Sequence, residues 1–338
     1  MERKSIIQGR LEFGSEKSFT QALRMYEYRV DNFYKNDLLF KDEIFDEENQ
    51  IISIPRLIAQ EPEKLFNNSV KLLEYLSQFA LSGSIGAWLV HEGKILKYAL
   101  IEPASEKAVV QNFRRGQRLA DEAGKEQEAL KALTEAINKH DKHAQAYERR
   151  GYVNYQLDNM AGALYDFNKC ISYDPTIPSA YFWRAKVHIR KDDFDAAIAD
   201  LLMTTKKAIA LQPIYWRARQ LKARCHTKKK EYEEAVREYK LITKRKFQKD
   251  DPNYNDMPRV YFEYAQVLKQ LGRTDEALQA IDHALDCADR DKDAPLDQLL
   301  TMRGKLKHES GESGVTDWQK AADLGSEEAV KLLSEKPA

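Results

Sequence analysis

The spacing of apolar residues divides the chain into a front region and a longer back region. Over residues 1–107, short runs of alternating apolar and polar residues are separated by turn residues, which is typical of strands. Over residues 108–338, apolar residues recur at helical spacing and strand alternation is missing. The pattern predicts a small α+β domain over 1–107 and an all-α array over 108–338.

The front region is predicted to have the element order βαββαββ. SIIQGRLEF is the first strand, SFTQALRMYEYRVDNFY an amphipathic helix, and KLFNNSVKLLEYLSQFAL a second helix. Two strands, LLFKDEIF and IISIP, flank the polar turn DEEN. A loop is expected at GSIG. A hairpin that turns at Glu92 and Gly93 is expected over AWLVHEGKILKYALI. This order would suit a ferredoxin-like layer extended by one strand, with both helices on one sheet face. The first helix should bury the stripe Phe19, Leu23, Tyr26, Val30 and Phe33.

Alanines mark a repeat in the back region. Ala129, Ala163 and Ala197 are each 34 residues apart, and Ala235 and Ala277 follow at intervals of 38 and 42 residues. A period of 34 residues is that of a helix, a turn and a second helix. The longer intervals contain prolines and acidic or amide residues, so we place the additional residues at helix ends and in loops.

The best repeat unit resembles a tetratricopeptide repeat (TPR). Gly151, Ala163 and Phe167 lie at its helix crossing and Pro175 at its end. Its sequence is AYERRGYVNYQLDNMAGALYDFNKCISYDP. Two further units match this repeat in the same register, and two weaker units complete about five repeats. The two matching units are AYFWRAKVHIRKDDFDAAIADLL and VYFEYAQVLKQLGRTDEALQAIDHAL. DWQKAADLGSEEAVKLL resembles a capping Sel-like repeat. The resemblance implies a superhelical solenoid whose first helices line a concave peptide-binding groove.

Charge is balanced overall but not along the chain. The 54 basic and 54 acidic residues cancel, yet residues 108–257 hold 29 basic and 21 acidic residues. Family geometry implies a basic, aromatic groove that would bind an acidic protein segment. An equally weighted interpretation is that these basic and aromatic residues are ordinary solvated residues on helix surfaces. The candidate groove residues are Arg114, Arg118, Arg149, Tyr152, Tyr155, Phe182, Lys186, Arg190, Arg217, Arg224 and Lys228.

The chaperone-binding class of TPR proteins clamps a terminal carboxylate with lysine and asparagine at fixed first-helix positions. The corresponding positions here hold Arg114, Arg118, Arg149, Ser179 and Trp183, so the asparagines are missing. This departure argues against recognition of a chaperone tail and leaves acidic-peptide recognition open.

The sequence offers little sign of catalytic chemistry. Neither G-x-x-x-x-G-K-[ST] nor G-x-G-x-x-G occurs. His140 and His143 lack the context of a metal motif and are expected at a solvated helix end, whereas His188 and His226 share one repeat position and should share a packing role. Cys170 is expected in the core. We therefore predict no catalytic residue, no metal and no cofactor.

The N-terminal residues lack the features of a signal peptide, and the most apolar stretch is too short to cross a bilayer. Three cysteines form neither an even set nor a C-x-x-C pair, which fits a reducing cytoplasm. The sequence thus predicts a cytoplasmic, non-enzymatic adaptor for protein partners. Two alternatives stay open: an enzyme with a site in or beside the front domain, and a nucleic-acid-binding protein that uses the basic groove. The sequence does not define the oligomeric state.

Overall fold

The computed structural model describes residues 3–35, 37–290 and 295–335. Contacts divide the chain into a first unit, Met1–Val187, and a second unit, His188–Ala338. The sheet and the earlier helices form the first unit, and the later helices form the second. The predicted domain boundary after residue 107 stays a prediction.

The first unit begins with a five-stranded antiparallel sheet in the order β2-β3-β1-β4-β5. The first four strands have the order of a ferredoxin-like layer, and β5 extends the sheet beyond β4, so the predicted βαββαββ order is confirmed. Glu92 and Gly93 form the predicted hairpin turn, with φ values of 50° and 77°. The strands are β1 (Lys4–Glu12), β2 (Phe45–Asp46), β3 (Ile51–Ala59), β4 (Ser82–His91) and β5 (Lys94–Ile101).

Two helices, α1 (Glu16–Arg29) and α2 (Glu63–Ser77), pack with the sheet around one apolar core. Ile7 and Leu11 of β1 are fully buried there, because alternate residues of a strand point to the same face. The intervening residues of β1 lie on the opposite face of the sheet.

Three front-region predictions were wrong in detail. After Arg29 the chain continues as a π-helical turn, Val30–Tyr34, which shifts the helical period and leaves Phe33 64% exposed. LLFKDEIF is not a strand: it contains a 3-10 turn at Asp42–Ile44 and, at its end, only Phe45 of the two-residue strand β2.

The GSIG segment lies within β4 rather than in a loop. Gly83 has a φ of 99°, and a Cβ atom there would lie 2.3 Å from the carbonyl oxygen of Arg10 on β1. The glycine therefore serves a close approach between two strand backbones, which the sequence alone does not distinguish from a turn.

Residues after 107 are helical throughout most of their described length, as predicted. Consecutive helices form pairs joined by short turns. The helices are α3 (Ala108–Ala120), α4 (Glu126–Lys139), α5 (Ala144–Gln156), α6 (Met160–Tyr173), α7 (Pro178–Arg190), α8 (Phe194–Lys207), α9 (Pro213–Lys228), α10 (Tyr232–Thr243), α11 (Met257–Gln270), α12 (Thr274–Asp286), α13 (Leu296–Glu309), α14 (Val315–Asp323) and α15 (Glu327–Ser334).

The repeat alanines explain how the helix pairs pack. Each lies on the second helix of a pair and is fully buried, because only a small side chain lets helix backbones approach this closely. The alanines are Ala129, Ala163, Ala197, Ala235 and Ala277.

The expected solvated position of His140 and His143 was wrong. His143 is fully buried, and its Nδ1 atom accepts the backbone N–H of Ala146, so it caps the start of α5. Burial lowers the pKa of His143 to about 3, which keeps the imidazole neutral. The Nε2 atom of His140 lies 3.3 Å from a carboxylate oxygen of Glu12 on β1.

The shared packing role of His188 and His226 holds in the second unit. The Nδ1 atom of His226 lies 2.7 Å from Glu231, and that of His188 lies 3.8 Å from Asp193, in each case the acidic residue five positions later. The two histidines thus take the same place at the ends of equivalent helices.

A buried carboxylate joins the last helices of the second unit. Asp317 of α14 accepts hydrogen bonds from Arg303 and Lys307 of α13, at 2.6 Å and 2.9 Å. Burial alone would raise the pKa of Asp317, but these hydrogen bonds outweigh it and lower the pKa below its ordinary value. The charged carboxylate therefore stabilises the fold above the pKa of the unfolded chain, and this stabilisation is lost as the pH falls through the lower folded-state pKa.

We expect Asp317→Asn to lower the free energy of unfolding by about 1.5–3 kcal/mol at pH 7, because charge-assisted hydrogen bonds are lost. The difference from wild type should shrink below about pH 4, where the carboxyl of the unfolded chain begins to be protonated, and it should continue to shrink as the pH falls through the lower pKa of the folded state. Urea unfolding at pH 7 and at about pH 3 measures this difference in the free energy of unfolding. Asp323→Asn, at an exposed position on the same helix, is the control and should have little effect at either pH. A constant difference across this range would contradict the assignment.

Candidate partner-binding surface

All eleven predicted groove residues lie on the first helices of pairs. The structure brings four of them, Tyr152, Tyr155, Phe182 and Lys186, together around Trp183. We call these five residues the aromatic cluster. The remaining predicted residues are spread over α3, α5, α7 and α9.

Trp183 is the centre of the aromatic cluster. Its ring centroid lies 4.6 Å from that of Tyr152, 5.4 Å from that of Tyr155 and 5.7 Å from that of Phe182. The Lys186 ammonium lies 4.2 Å from the centroid of the Trp183 ring and 5.1 Å from that of Tyr155. All five side chains are half-buried, so one side of the cluster remains open to solvent.

A buried core holds the aromatic cluster in position. Phe167 on α6 is fully buried with Val187, and both Tyr155 and Trp183 pack against this core. A Cβ atom at Gly151 would lie 2.7 Å from the Phe167 ring, so only glycine allows α5 to approach α6 this closely. The rings are thereby fixed before any partner binds, which reduces the entropy lost on binding.

The predicted cations of the first unit differ in whether their charge is available to a binding partner. Arg149 lies 3.7 Å from Asp121 and 3.8 Å from Glu148, and Arg114 donates a 2.7 Å hydrogen bond to the carbonyl oxygen of Pro103. Arg118 is exposed and forms no ion pair with any residue that the structure describes. The charge of Arg149 is therefore partly neutralised within the fold, whereas that of Arg118 is available.

The predicted cations of the second unit also differ in this way, since one is held by an internal carboxylate and others are exposed. Arg224 on α9 is held by Glu263 on α11, with its Nε atom 2.9 Å from the carboxylate. Arg217 and Lys228 are exposed, and within the described ranges neither has an ionic partner. Arg190 is exposed at the end of α7.

The second unit also contains a groove of about 570 Å³ that sequence reasoning missed. Amide, cationic and apolar side chains share its lining. The sequence signal was the spacing of Gln266 and Gln270, one helical turn apart on a first helix. The residues that line it from α11 and α13 are Phe262, Gln266, Lys269, Gln270, Gln298, Met302 and Lys305.

Ser82, His140 and Glu12 meet beside a cavity of about 770 Å³ in the first unit, but their hydrogen bonds differ from those of a serine triad. The Ser82 hydroxyl donates to Glu12 at 2.7 Å, and the His140 Nε2 atom approaches the same carboxylate oxygen. In a serine triad the histidine accepts the serine proton, whereas here the His140 Nε2 atom is 3.4 Å from the Ser82 oxygen and the hydroxyl donates to the carboxylate. The arrangement ties β1 and β4 to the turn after α4.

The cysteines are poorly suited to nucleophilic chemistry. Cys170, Cys225 and Cys287 are buried thiols. Burial raises the pKa of Cys170 well above its ordinary value and that of Cys225 to about 11, so both stay protonated thiols at neutral pH. Among the described residues, no group of three or more His, Cys, Asp or Glu side chains could hold a metal ion. No helix in the described part of the chain is both long and apolar enough to span a bilayer.

Comparison with known proteins agrees with the repeat pattern. A family model described as Tetratricopeptide repeat matches residues 118–172 and 184–252, and a second with the same description matches residues 258–288. The chain is also 33% identical over 73 residues to U-box domain-containing protein 70 of Oryza sativa subsp. japonica. That alignment covers 22% of this chain and 9% of the other protein.

Two solved structures share the fold at low sequence identity. The structure of Pseudomonas aeruginosa pilF is 17% identical, with a TM-score of 0.53, and the match covers 68% of this chain and 98% of that chain. YrrB, described as a TPR protein with an unusual peptide-binding site, is 16% identical with a TM-score of 0.50, covering 60% and 98%. The buried alanines, the tandem helix pairs and the family matches together show that this chain contains tetratricopeptide repeats over residues 118–172, 184–252 and 258–288.

Proposed function

We propose that this protein is a non-enzymatic adaptor that binds acidic segments of partner proteins along the first helices of its repeats. The observation that carries the proposal is the aromatic cluster on α5 and α7, where rings and a lysine share one half-open surface. Aromatic and cationic side chains of this kind supply much of the binding energy in protein interfaces. YrrB is a solved TPR protein described as having a peptide-binding site, which supports the same role.

The acidic character of the partner follows from the available cations. In the first unit, Arg118 is exposed and forms no ion pair with the residues that the structure describes, and the Lys186 ammonium lies over the Tyr155 and Trp183 rings. A guanidinium binds a carboxylate through paired hydrogen bonds, and an ammonium on aromatic rings keeps its charge exposed on one side. Arg217 and Lys228 would extend this preference in the second unit.

The groove of the second unit suits the backbone of an extended segment. Gln266, Gln270 and Gln298 each carry both a hydrogen-bond donor and an acceptor, as a peptide backbone does. Phe262 and Met302 provide apolar contact area beside them. We propose that this groove holds partner backbone and that the cations select acidic side chains.

The buried thiols suit a reducing compartment, which supports a cytoplasmic location. The adaptor role also fits the tied-down Ser82 hydroxyl and the protonated cysteines, which offer no activated nucleophile at these positions.

Reversing two charges tests the proposed surface. In Arg118→Glu/Lys186→Glu, two attractions for an acidic segment become repulsions, and at about 1 kcal/mol or more per site the affinity should fall at least about tenfold. Fluorescence anisotropy with a labelled glutamate- and aspartate-rich peptide measures the change. Lys131→Glu/Lys139→Glu, on the second helix α4, makes the same change in net charge and should leave the affinity nearly unaltered.

Thermal unfolding of the same variants separates lost binding from lost folding. Exposed substitutions such as Arg118→Glu usually change stability by about 0.5 kcal/mol or less, and loss of the Lys186 contact with the rings should cost about 0.5–1 kcal/mol, so both variants should stay folded at the assay temperature. The salt dependence of the affinity distinguishes a peptide ligand from a nucleic acid. A nucleic acid releases counterions on binding, so the logarithm of its affinity falls steeply and linearly with the logarithm of the salt concentration. Equal peptide affinity in wild type and double reversal would leave the acidic-segment proposal without support.

A further inference from the structure

The lysines in the groove of the second unit are neutralised within the fold. The Lys269 ammonium on α11 lies 2.6 Å from Glu309 on α13, and Lys305 on α13 is paired with Glu328 on α15. Among the described residues that line this groove, the two lysines are the only cations and Glu328 is the only acidic residue. An acidic segment would therefore meet paired cations here and gain little electrostatic attraction.

Three apolar side chains also line the groove. Met302 is 9% exposed and belongs to the hydrophobic core of the second unit, and Tyr232 and Phe262 pack against the same core. They come from α13, α10 and α11, so the packing of the repeats fixes their positions. A site that is formed before the ligand arrives loses little entropy on binding.

The amide side chains of the groove suit the backbone of a bound segment. Gln266 and Gln270 lie one turn apart on α11, and Gln298 lies on α13. All three are exposed, and their amide groups form no hydrogen bond with any residue that the structure describes. Each amide can both donate to a backbone carbonyl and accept from a backbone N–H without requiring a charged side chain.

We propose that this groove selects an uncharged segment of a partner protein, with one large aliphatic side chain seated against Tyr232, Phe262 and Met302. This assignment, which rests on the proposed adaptor function, gives the second unit a ligand different from the acidic segment proposed for Arg118 and Lys186. Burial of an aliphatic side chain against these residues is favourable. A carboxylate at the same position would lose its water without gaining an unpaired cation.

Three labelled peptides of equal length test this specificity with the full chain. Each is an uncharged serine- and glycine-containing segment whose central residue is leucine, glycine or glutamate. Fluorescence anisotropy should show the leucine peptide binding at least about tenfold more tightly than the glycine peptide, and the glutamate peptide no more tightly than the glycine peptide. Raising the salt from about 50 mM to about 500 mM should change the affinity of the leucine peptide less than about twofold, because no ion pair forms.

A fluorescent dye shows whether the leucine peptide occupies this groove. Gln270→Cys places one reactive thiol among the lining residues, since the three native cysteines are buried. An environment-sensitive dye at this position should change its fluorescence when the leucine peptide is added. The same dye on Lys320→Cys, at an exposed site on α14 outside the groove, should not respond.

Removal of one ring tests the apolar contact. Phe262→Ala should bind the leucine and glycine peptides within about threefold of each other, because the leucine loses its contact surface. Tyr165→Ala, at an exposed aromatic position on α6, should keep the full preference for leucine. Circular dichroism of Phe262→Ala checks its folding, and the next pair of variants tests the same groove without changing a core contact.

Release of the two lysines tests the charge argument. Glu309→Gln/Glu328→Gln removes both internal carboxylates at partly exposed positions. This variant should bind a peptide with glutamate beside the leucine about fivefold or more tightly than wild type does, and the uncharged leucine peptide within about twofold of wild type. Asp323→Asn/Glu327→Gln makes the same change in net charge at exposed sites outside these pairs, and it should leave both affinities unchanged.

Equal affinities of wild type for the leucine and glycine peptides would overturn the proposal. A preference for leucine that persists in Phe262→Ala, with no response of the dye at position 270, would also overturn it, since the side chain must then bind elsewhere. Neither result bears on the acidic-segment proposal, which is measured with an acidic peptide and depends on Arg118 and Lys186.

Discussion

Replacing Arg150 by methionine is expected to lower the free energy of unfolding by about 3–5 kcal/mol, because it leaves a buried carboxylate without its cation. The carboxylate belongs to Asp166, which is 1% exposed on α6. Arg150 on α5 binds it through its Nε and Nη2 atoms, and Asn154 donates a further hydrogen bond at 2.9 Å. Burial raises the pKa of Asp166 even with these partners present, so the charge depends on the guanidinium.

The loss should become smaller toward acid pH, where an unpaired Asp166 binds a proton and is no longer charged. Arg150→Met/Asp166→Leu should recover a substantial part of the stability, since an apolar pair replaces a charge left alone. Arg237→Met is the matched control: its ion pair with Glu234 is on the surface of α10, and its loss should cost about 0.5 kcal/mol or less. Urea unfolding followed by circular dichroism and tryptophan fluorescence measures all three. A loss below about 1 kcal/mol for Arg150→Met would contradict the buried pair.

Replacing Phe167 by alanine should also cost about 3–5 kcal/mol, because a fully buried ring is removed from the core of α5, α6 and α7. The same core supports Tyr155 and Trp183, so we expect weaker peptide binding as well as lower stability. Tyr165→Ala, at an exposed aromatic position on α6, is the control and should change stability little.

The contact between Phe167 and Gly151 permits a second check. Gly151→Ala should cost about 1–3 kcal/mol in the wild type, because the added methyl group meets the Phe167 ring. In a Phe167→Ala background that clash is gone, so the cost should fall by more than about 0.5 kcal/mol. Additive losses would show that the two residues do not meet.

Sequence patterns predicted the features that arise from local periodicity. The alanine spacing identified the buried helix crossings, and Glu92 and Gly93 identified the hairpin, because both follow from backbone geometry within a few residues. Phe33 was placed wrongly because the π-helical turn changes the period within one helix. Gly83 was read as a loop residue because its close approach to β1 involves a distant part of the chain.

The candidate surface was only partly predictable for the same reason. Family geometry identified Tyr152, Tyr155, Phe182 and Lys186, which the structure places together, but it did not identify Trp183 as their centre. Contacts between helices decide which cations are neutralised. Arg224 is paired with Glu263, 39 residues later, and no local pattern shows such a pair.

Capture of partners from an extract of the native cells tests the central claim most directly. Immobilised wild-type chain, the Arg118→Glu/Lys186→Glu variant and the Lys131→Glu/Lys139→Glu control would be compared by quantitative mass spectrometry at equal loading. We expect wild type and control to retain the same proteins, these proteins to contain acidic segments, and the double reversal to retain at least about tenfold less of them. Retention of the same proteins in the same amounts by all three would contradict it.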